Sequence, residues 1–492
     1  MSLALLAFDL GAESGRAILG RFNGERITLE EIYRFPNEPV LLYKSIHWDV
    51  LRIFHEIKRS LGIAYSNCKG AISSLGIDTW GVDFCLLDKK DNILYNPYHY
   101  RDRRTEGIME EAFKTLSKRE IFKRTGIQFI RINTLYQLLA MKKENSAVLN
   151  ITGALLMMPD LFNFLLTGEK FTEFTMATTT QLYNPFKMDW DRELLSIFDL
   201  PVEIFQEIIP PCTVIGKVYP RVAQEIDIGE ELQVIAPLTH DTASAVAIVP
   251  LKNINYAFIS SGTWSVVGTK VSQPVVDDLA LELNFSNSGG LNDFLFLKNT
   301  MGLWLLQECR RSWEKKGEHL DYNQLIEIAQ ESRSLGSLID PDDERFLSPR
   351  DMPLEIQRYC QETGQLIPQT KGEMILCILE SIALRYRNLI EELEKIINKK
   401  LPVIYMVGGG VRNKLLNQFT ANATKRMVIT GPTEATAVGN IISQMITLRE
   451  LSSLEEAQEL IGSSFHLQEY KGFSSEYWDD LYEKFLKLRG IE

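Results

Sequence analysis

Two stretches of the chain, far apart in sequence, share one pattern of an apolar strand, a glycine-centred turn and a returning strand. Residues 4–12 are Ala-Leu-Leu-Ala-Phe-Asp-Leu-Gly-Ala, and residues 255–263 are Asn-Tyr-Ala-Phe-Ile-Ser-Ser-Gly-Thr. Their offset of 251 residues is close to half of the 492-residue chain. Similar segments at such an offset indicate internal duplication. The pattern therefore predicts two similar α/β domains, divided near residues 246–250, with a ligand cleft between them.

Hydrophobic periodicity predicts a three-stranded meander, then a helix and further strands, before a similar second half. Asn23-Gly24 has the composition of a tight hairpin turn with positive φ angles. Residues 116–200 have a mostly helical pattern, and residues 298–307 resemble a core helix. The predicted elements are strands at 3–8, 16–22, 26–29, 71–78, 82–87, 232–237, 255–260, 264–270 and 403–407, and helices at 48–61, 374–397, 433–448 and 477–488.

Composition and charge exclude several classes of protein. The hydrophobic fraction of 45% and the charged fraction of 24% are typical of globular domains. The formal net charge of -12 argues against a nucleic-acid partner, because phosphate backbones select basic surfaces. The first residues lack the basic segment of a signal peptide, and there is no apolar run of about 18 residues. We therefore expect a cytoplasmic protein with neither nucleic acid nor a membrane as its partner.

The cysteines are too dispersed to form an obvious metal site or disulfide framework. No C-x-x-C pair and no Cys/His cluster occurs in the sequence. We therefore expect buried, reduced thiols at positions 68, 85, 212, 309, 360 and 377.

The first turn, Asp9-Leu10-Gly11-Ala12-Glu13-Ser14-Gly15-Arg16, follows a strand that ends in an acid. A glycine-rich turn brings backbone N–H groups close to a bound anion. Asp9 could hold a metal ion through water, and Arg16 could contact phosphate. The chain has no Walker A sequence. An ordinary hairpin turn, in which Asp9 only bonds local backbone, explains the stretch equally well.

The run Gly408-Gly409-Gly410 lies between a predicted strand and a helix that Asn413 would cap. Such a junction directs helix N–H groups towards a phosphate without Cβ atoms in the way. A tight strand-to-helix turn is the structural alternative. We favour phosphate binding, because three successive glycines are costly to order.

Thr239-His240-Asp241-Thr242 follows another strand and opens a predicted helix. A carboxylate at that place can accept the proton of a sugar hydroxyl during phosphoryl transfer. Helix capping by Thr239 or Asp241 is a common alternative, and a lone His240 is usually a structural residue. From this stretch alone, we favour helix capping over a catalytic role.

Three further stretches contain candidate ligand contacts. Trp80 beside Gly81 suits a polyol, because its ring could stack on the sugar, but core packing of Trp80 is equally plausible. Tyr100-Arg101-Asp102-Arg103-Arg104 offers hydrogen-bond donors, although an exposed ion-pair loop explains Arg103 better. Within the predicted core helix at 298–307, only Asn299 and Gln307 are placed near a ligand.

Taken in order, these stretches resemble the FGGY carbohydrate kinases over essentially the whole chain. The resemblance rests on the DLGA turn at 9–12, the SSGTW turn at 260–264, the His240-Asp241 motif and the VGGG-x-x-N junction at 407–413. It implies two duplicated actin-like, ribonuclease H-like ATPase domains. The stretches most similar to the branch of the family that phosphorylates L-rhamnulose are 76–84, 100–102, 126–129, 133–138, 177–182, 240–245 and 298–304.

The resemblance implies ATP-dependent formation of L-rhamnulose 1-phosphate, with Mg²⁺ as cofactor and Asp241 as general base. Residues 1–247 would mainly bind the sugar and carry the base, and residues 248–492 would mainly bind the nucleotide. The implied sugar contacts are Gly81, His240, Asp241, Thr242 and Asn299. The implied nucleotide contacts are Ala12, Glu13, Ser14, Gly15, Arg16, Thr263, Gln307, Gly408, Gly409 and Gly410.

Many relatives carry a small hydroxyl residue where this chain has Glu13. A carboxylate in a phosphate-binding turn repels the γ-phosphate unless it points outward or meets Mg²⁺. This departure leaves the detailed contacts of the turn open.

Other functions also fit part of the pattern. An FGGY kinase for L-fuculose, L-ribulose or xylulose would differ only in pocket residues, which a single sequence cannot rank. An actin- or chaperone-like ATPase would need an appended binding or polymerising region. A sugar-sensing regulator would need a helix-turn-helix with a basic face, and neither feature is visible. The sequence is compatible with a monomer or a homodimer.

Overall fold

The computed structural model describes residues 3–247, 249–251, 254–473 and 475–491, which form two compact units. The first unit contains the described parts of Met1–Pro250, Lys270–Phe296 and Glu434–Phe465. The second contains the described parts of Leu251–Thr269, Leu297–Thr433 and His466–Glu492. Both units mix helices with a β-sheet, which agrees with the predicted α/β class.

The strands within the described residues have the following bounds: β1 Leu3–Leu10, β2 Ser14–Phe22, β3 Ile27–Pro36, β4 Val40–Leu42, β5 Ser45–His47, β6 Ser74–Thr79, β7 Phe84–Asp88, β8 Thr152–Met157, β9 Thr172–Glu173, β10 Tyr183–Asn184, β11 Asp189–Trp190, β12 Ile208–Ile209, β13 Thr213–Lys217, β14 Gln233–Ala236, β15 Tyr256–Ser261, β16 Trp264–Val271, β17 Ser286–Gly289, β18 Phe294–Met301, β19 Val403–Val407, β20 Met427–Thr430 and β21 Gln468–Tyr470.

The α-helices in the same described ranges are α1 Val50–Asn67, α2 Ile108–Thr115, α3 Lys118–Thr125, α4 Thr134–Lys143, α5 Ala147–Ile151, α6 Met158–Thr167, α7 Phe174–Ala177, α8 Arg192–Ile197, α9 Pro220–Glu225, α10 Asp241–Ala245, α11 Asp278–Glu282, α12 Trp304–Glu314, α13 Tyr322–Gln330, α14 Met352–Glu362, α15 Lys371–Ile397, α16 Lys414–Thr424, α17 Ala435–Thr447, α18 Leu454–Ser464 and α19 Glu476–Leu488. Short 3₁₀ turns occur at Arg103–Thr105, Val202–Ile204, Glu344–Phe346 and Gly409–Arg412.

The first unit is built on a six-stranded sheet with the order β13-β14-β6-β1-β2-β3. β1, β2 and β3 form the predicted antiparallel meander, while β6 is parallel to both β1 and β14. Helix α1 begins after its cap Asp49 and buries Ile53, Ile57 and Leu61. That spacing places the three side chains on one face of the helix.

The second unit repeats the beginning of the first. β15 and β16 form an antiparallel hairpin, and β15 is parallel to β19, just as β1 pairs with β2 and β6. β19 is in turn parallel to β20, which pairs antiparallel with β21. The two hairpins are the segments whose sequences match at an offset of 251 residues. Their common pairing supports the duplicated fold.

Two local predictions are wrong in detail. At the first hairpin Gly24 has a φ of 98°, but Asn23 is not among the residues with positive φ. Asn23 closes the turn with its side chain instead, because its Oδ1 accepts hydrogen bonds from the N–H groups of Glu25 and Arg26. In addition, residues 116–200, which were predicted to be mostly helical, contain the strand β8, which pairs with β7.

The predicted core helix at 298–307 begins later than expected. Residues up to Met301 belong to β18, and α12 starts at Trp304. Asp342 accepts hydrogen bonds from the Thr300 hydroxyl at 2.7 Å and from the Met301 N–H at 2.9 Å. This partner lies about 40 residues away in the chain and helps fix the extended conformation, which local periodicity cannot reveal.

The prediction of buried, reduced cysteines is confirmed at five of the six positions. All six cysteines are free thiols, five of them buried and Cys212 partly exposed. Among the described helices, none is both long and apolar enough to cross a membrane.

Candidate active site

Three carboxylates lie at one edge of the sheet in the first unit. Asp9 is near the end of β1 and pairs in register with Asp78 on the parallel strand β6. Asp241 begins α10 in the segment after β14, and the Thr79 N–H donates to the Thr239 carbonyl at 2.9 Å. Parallel strands end at the same edge of a sheet, so the topology brings the three acids together.

Asp241 is the most accessible of the three carboxylates. Its side chain is 32% exposed, whereas Asp9 and Asp78 are 3% and 0% exposed. Helix α10 starts at Asp241 itself, and its N-cap residue His240 makes no side-chain cap bond. The Oδ1 of Asp241 accepts hydrogen bonds from the N–H and the hydroxyl of Thr242, so one oxygen of this carboxylate bonds the first turn of its own helix.

Asp9 is paired with a charged side chain from the neighbouring strand. Arg16 on β2 bonds Asp9 at 2.5 Å and also forms an ion pair with Glu434. Burial raises the pKa of Asp9 to about 6, although Arg16 opposes this and Asp241 adds to it. The sequence did not indicate Glu434, because it lies 418 positions from Arg16.

Asp78 is a member of this cluster that the sequence prediction did not include. Its Oδ2 accepts a hydrogen bond from Asn440 at 2.6 Å, while its Oδ1 has no partner among the described residues. Burial raises the pKa of Asp78 well above its usual value, and Asp9 adds to the shift. Asp78 lies directly after an apolar stretch, which could have indicated a site residue. The sequence did not show that its strand, β6, lies beside β1 and Asp9.

Asp78→Asn should become more stable than the wild type as the pH rises. A carboxyl with a raised pKa in the folded state contributes stability at low pH that is lost as the pH rises from about 4 towards that pKa. Asparagine does not titrate and keeps an acceptor for Asn440. Urea denaturation at several pH values measures the difference in free energy of unfolding between the two proteins.

Asp88→Asn is the matched control for that series. Hydrogen bonds from Asn92 lower the pKa of Asp88, so this variant should lose stability relative to the wild type as the pH rises. Parallel pH profiles of wild type and Asp78→Asn would contradict the predicted shift.

The loop between β6 and β7 is held tightly around Gly81. Val82 has a φ of 67°, which is unusual for a β-branched residue. Its N–H donates to the Thr179 hydroxyl at 3.1 Å, and its carbonyl accepts from the Thr134 hydroxyl at 2.6 Å. A Cβ at Gly81 would lie 3.0 Å from the methyl of Thr179. The loop therefore has little room for a larger residue.

Trp80 is a core residue. Its ring is 5% exposed and lies 4.1 Å from the ring of Trp48, and its Nε1 donates to Asp83 at 3.0 Å. The structure thus favours packing over stacking on a polyol. Arg103 is 79% exposed near Glu106, as the ion-pair interpretation predicted.

In the turn at Ala12–Arg16, the Gly11 N–H donates to the Ser14 carbonyl at 3.0 Å. Glu13 is exposed, and its carbonyl accepts from the Asn37 N–H at 3.0 Å. A Cβ at Gly15 would overlap the ring of Phe35. Close packing therefore requires glycine at this position whether or not a phosphate binds there.

The second unit brings the other predicted nucleotide contacts together around the end of β15. A Cβ at Gly408, whose φ is 85°, would lie 2.7 Å from the Ser261 carbonyl oxygen, and a Cβ at Gly410 would lie 2.6 Å from the Ser261 Cβ. Gly409, in contrast, is exposed, and among the described residues no atom beyond its chain neighbours lies within 4 Å of a Cβ position. Asn413 caps α16 as predicted, with its Oδ1 accepting from the Leu416 N–H.

The turn after β15 also contacts the start of α12. The Thr263 carbonyl accepts from the N–H groups of Gly302 and Trp304, both at 3.2 Å. Gln307 lies on the first turns of α12, and its buried Oε1 has no partner within the described residues. Asn299 lies on the adjoining strand β18 and is half-buried. Each unit therefore assembles its own group of predicted site residues.

Comparison with known proteins identifies the family. Residues 4–247 match the N-terminal domain of the FGGY family of carbohydrate kinases, and residues 257–448 match its C-terminal domain. The rhamnulokinase of Halalkalibacterium halodurans is 44% identical over 469 residues, which cover 94% of this chain and 98% of that protein. The rhamnulokinase of Bacteroides thetaiotaomicron is 40% identical over 486 residues, 99% of each chain.

Solved structures of lower similarity share the fold. Gluconate kinase from Lactobacillus acidophilus superimposes with a TM-score of 0.81 at 17% identity, covering 100% of this chain and 98% of that one. Xylulose kinase from the same organism gives a TM-score of 0.80 at 17% identity, covering 99% and 98%. These likenesses support the two-domain fold alone.

Proposed function

Because this chain belongs to the FGGY family of carbohydrate kinases, we propose that it transfers the γ-phosphoryl group of ATP to L-rhamnulose. The product would be L-rhamnulose 1-phosphate, an intermediate of L-rhamnose breakdown. The observation that carries the proposal is the 38–44% identity to several rhamnulokinases over 94–99% of this chain.

Asp241 is the general base in this proposal. It is the only one of the three strand-end carboxylates whose side chain is substantially exposed, so a sugar hydroxyl can reach it. Asp241 accepts the hydroxyl proton while the sugar oxygen bonds to the γ-phosphorus and ADP leaves.

In addition to Asp241, the proposed sugar contacts are His240, Thr242, Gly81 and Asn299. Burial lowers the pKa of His240, so its imidazole is neutral near pH 7. Its Nε2 lies 3.4 Å from Asp241, and its buried Nδ1 has no hydrogen-bond partner in the described part of the chain. A sugar hydroxyl would satisfy that nitrogen.

The nucleotide contacts are proposed from both glycine-containing turns. Backbone N–H groups at Ala12–Arg16 and Gly408–Gly410 would bind phosphate oxygens, and the unpaired Oε1 of Gln307 and the turn residue Thr263 would contact the rest of the nucleotide. Exposed Glu13 can remain in solvent and so avoid the γ-phosphate. In this proposal residues 1–247 mainly bind the sugar and carry the base, and residues 248–492 mainly bind the nucleotide, although the turn at Ala12–Arg16 and Asn299 are exceptions.

Magnesium would enter with the nucleotide. Among the described residues no group of three His, Cys, Asp or Glu side chains is placed to hold a metal directly. Asp9 beside Asp241 nevertheless fits a cation, because burial and then repulsion from Asp241 raise the pKa of Asp9, and a nearby positive charge would oppose both effects. Asp9 would hold Mg²⁺ through water, and the ion would neutralise charge on the phosphates.

Gly409→Ala should weaken MgATP binding without unfolding the protein. The new methyl would occupy the open space in front of the turn, where we place a phosphate, and no atom of the described residues beyond its chain neighbours lies within 4 Å of it. We expect the KM for MgATP to rise about 10-fold or more, the scale of one lost hydrogen bond to a charged group. An unchanged KM would place the phosphate elsewhere, and the melting temperature provides the control for folding.

The direct test of function is ADP release with MgATP and a panel of L-rhamnulose, L-fuculose, L-ribulose, D-xylulose and glycerol. Fast turnover of L-rhamnulose alone is the expected result. A preference for another sugar would overturn the substrate but keep the kinase. ATP hydrolysis that is independent of all five sugars would overturn the kinase assignment.

The proposed setting of the enzyme follows from its co-substrate. ATP is available in the cytoplasm, where we expect the protein to act on a small sugar without a nucleic-acid or membrane partner. A monomer or a homodimer would suffice for this reaction.

A further inference from the structure

Glu173, in the two-residue strand β9, is a fully buried carboxylate surrounded by hydrogen-bond donors. Its oxygens accept from the N–H and hydroxyl of Thr175 at 3.0 and 2.5 Å, and from the Met176 N–H at 3.4 Å. They also accept from the N–H and hydroxyl of Thr239 at 3.2 and 2.6 Å. Five donors therefore converge on one side chain.

These bonds connect α7 to the segment that carries the proposed base. Thr239 lies two residues before Asp241, and the Thr175 hydroxyl accepts a hydrogen bond from the His240 N–H at 3.1 Å. The hydroxyl of Thr175 thus donates to Glu173 and accepts from His240 at the same time. Glu173 holds the backbone on the N-terminal side of Asp241 through two consecutive residues.

The other end of the same helical turn holds the loop at Gly81. Thr179, just after α7, accepts from the Val82 N–H, and its methyl limits the space at Gly81. Thr179 is itself anchored, because its hydroxyl donates to the Met176 carbonyl at 2.8 Å. One short helix therefore contacts both segments of the first unit that we assign to sugar binding.

We propose that Glu173 is a positioning residue that, through the hydroxyls of Thr175 and Thr239, fixes His240 and Asp241 in their catalytic place. The inference rests on the proposed function and adds a residue to it that does not touch the substrate. Glu173 acts through the main chain of residues 239–240, and α7 extends the same support to Gly81. Small displacements of a catalytic group cost large factors in rate, so such support has a measurable effect.

The electrostatics of Glu173 agree with this role. Burial raises the pKa of Glu173, and the hydrogen bonds from Thr175 and Thr239 oppose that shift. An unpaired buried carboxylate is costly, whereas one that accepts several hydrogen bonds makes a rigid junction. Asp160 adds a nearby buried acid, and its Oδ1 accepts from the Glu173 N–H at 3.3 Å.

Thr175→Val and Thr175→Ser form the test pair. Valine keeps the shape of threonine but loses the hydroxyl that links Glu173 to His240, whereas serine keeps it. We expect Thr175→Val to lower kcat for the sugar by about 10-fold, with an unchanged KM for MgATP, and Thr175→Ser to stay within about 2-fold of wild type. Glu173→Gln places an amide donor against one of the N–H or O–H donors and should lower kcat in the same way.

A second readout does not need the sugar. Hydrogen exchange of the His240 amide should accelerate in Thr175→Val and remain slow in Thr175→Ser. Equal kcat in wild type, Thr175→Val and Glu173→Gln would overturn the inference, as would equal losses in the valine and serine variants. Wild-type protein that does not phosphorylate L-rhamnulose would overturn the proposed function, and the amide exchange would still decide whether Thr175 fixes His240.

Discussion

Asp241→Asn should lower kcat at least about 100-fold while binding L-rhamnulose nearly as well as the wild type does. An amide has almost the same shape as the carboxylate and can still accept a hydrogen bond from the sugar hydroxyl. It cannot take up the proton that this hydroxyl loses during phosphoryl transfer. The loss should therefore appear in kcat, because the missing interaction is made only in the transition state.

Single-turnover kinetics measures the rate of phosphoryl transfer, and calorimetric titration with the sugar measures the binding of L-rhamnulose. Glu230→Gln is the matched control, because it neutralises an exposed carboxylate in the loop before β14, outside the proposed site, and should leave kcat close to that of the wild type. Turnover at the wild-type rate by Asp241→Asn would remove Asp241 from the role of general base. A similar loss in Glu230→Gln would show that the loss in Asp241→Asn is not specific to the proposed base.

Gly439→Ala should destabilise the protein by about 1–3 kcal/mol or more and also reduce its activity. Gly439 lies on α17, where a Cβ would overlap the Ser244 carbonyl oxygen and lie 2.6 Å from the carbonyl carbon. Backbone atoms cannot move away by changing rotamer, so either α17 or α10 must shift. Because α10 begins with Asp241, a shift would also displace the proposed base.

Gly462→Ala provides the control for Gly439→Ala. Gly462 lies on α18 and is exposed, and in the described part of the chain no atom outside its own helical turn lies within 4 Å of a Cβ position. Alanine favours a helix over glycine, so this variant should gain about 0.5–1 kcal/mol. Urea denaturation of both variants gives the comparison. A stability gain in Gly439→Ala similar to that in Gly462→Ala would show that the contact between α17 and α10 is not tight.

Local signals predicted much of the fold. β19 was predicted with its observed bounds of 403–407, and Asn413 caps the following helix as expected. Periodic apolar residues predicted α15 over nearly its full length, because a long amphipathic pattern and a buried helical face are the same feature. The prediction at 298–307 was wrong because β18 depends on Asp342, a partner outside any local window.

At the candidate site, too, the sequence did not reveal residues whose partners are far away along the chain. The sequence singled out Asp9, Arg16 and Asp241 because acids and glycines at strand ends are typical of phosphate chemistry. It did not indicate Glu434, which pairs with Arg16, or Glu173, which bonds Thr239. Neither acid lies in a stretch that the sequence indicated as a candidate site, and only their distant partners reveal their importance.

By itself, the sequence determined the duplicated α/β organisation, the order of most elements and the residues at which chemistry was expected. These depend on interactions within one strand, turn or helix, where the spacing along the chain is also the spacing in space. Only the tertiary structure decided that Asp78 stands beside Asp9, that Trp80 packs in the core and that five donors converge on Glu173. Such contacts join residues that are far apart in sequence, and folding determines their distance.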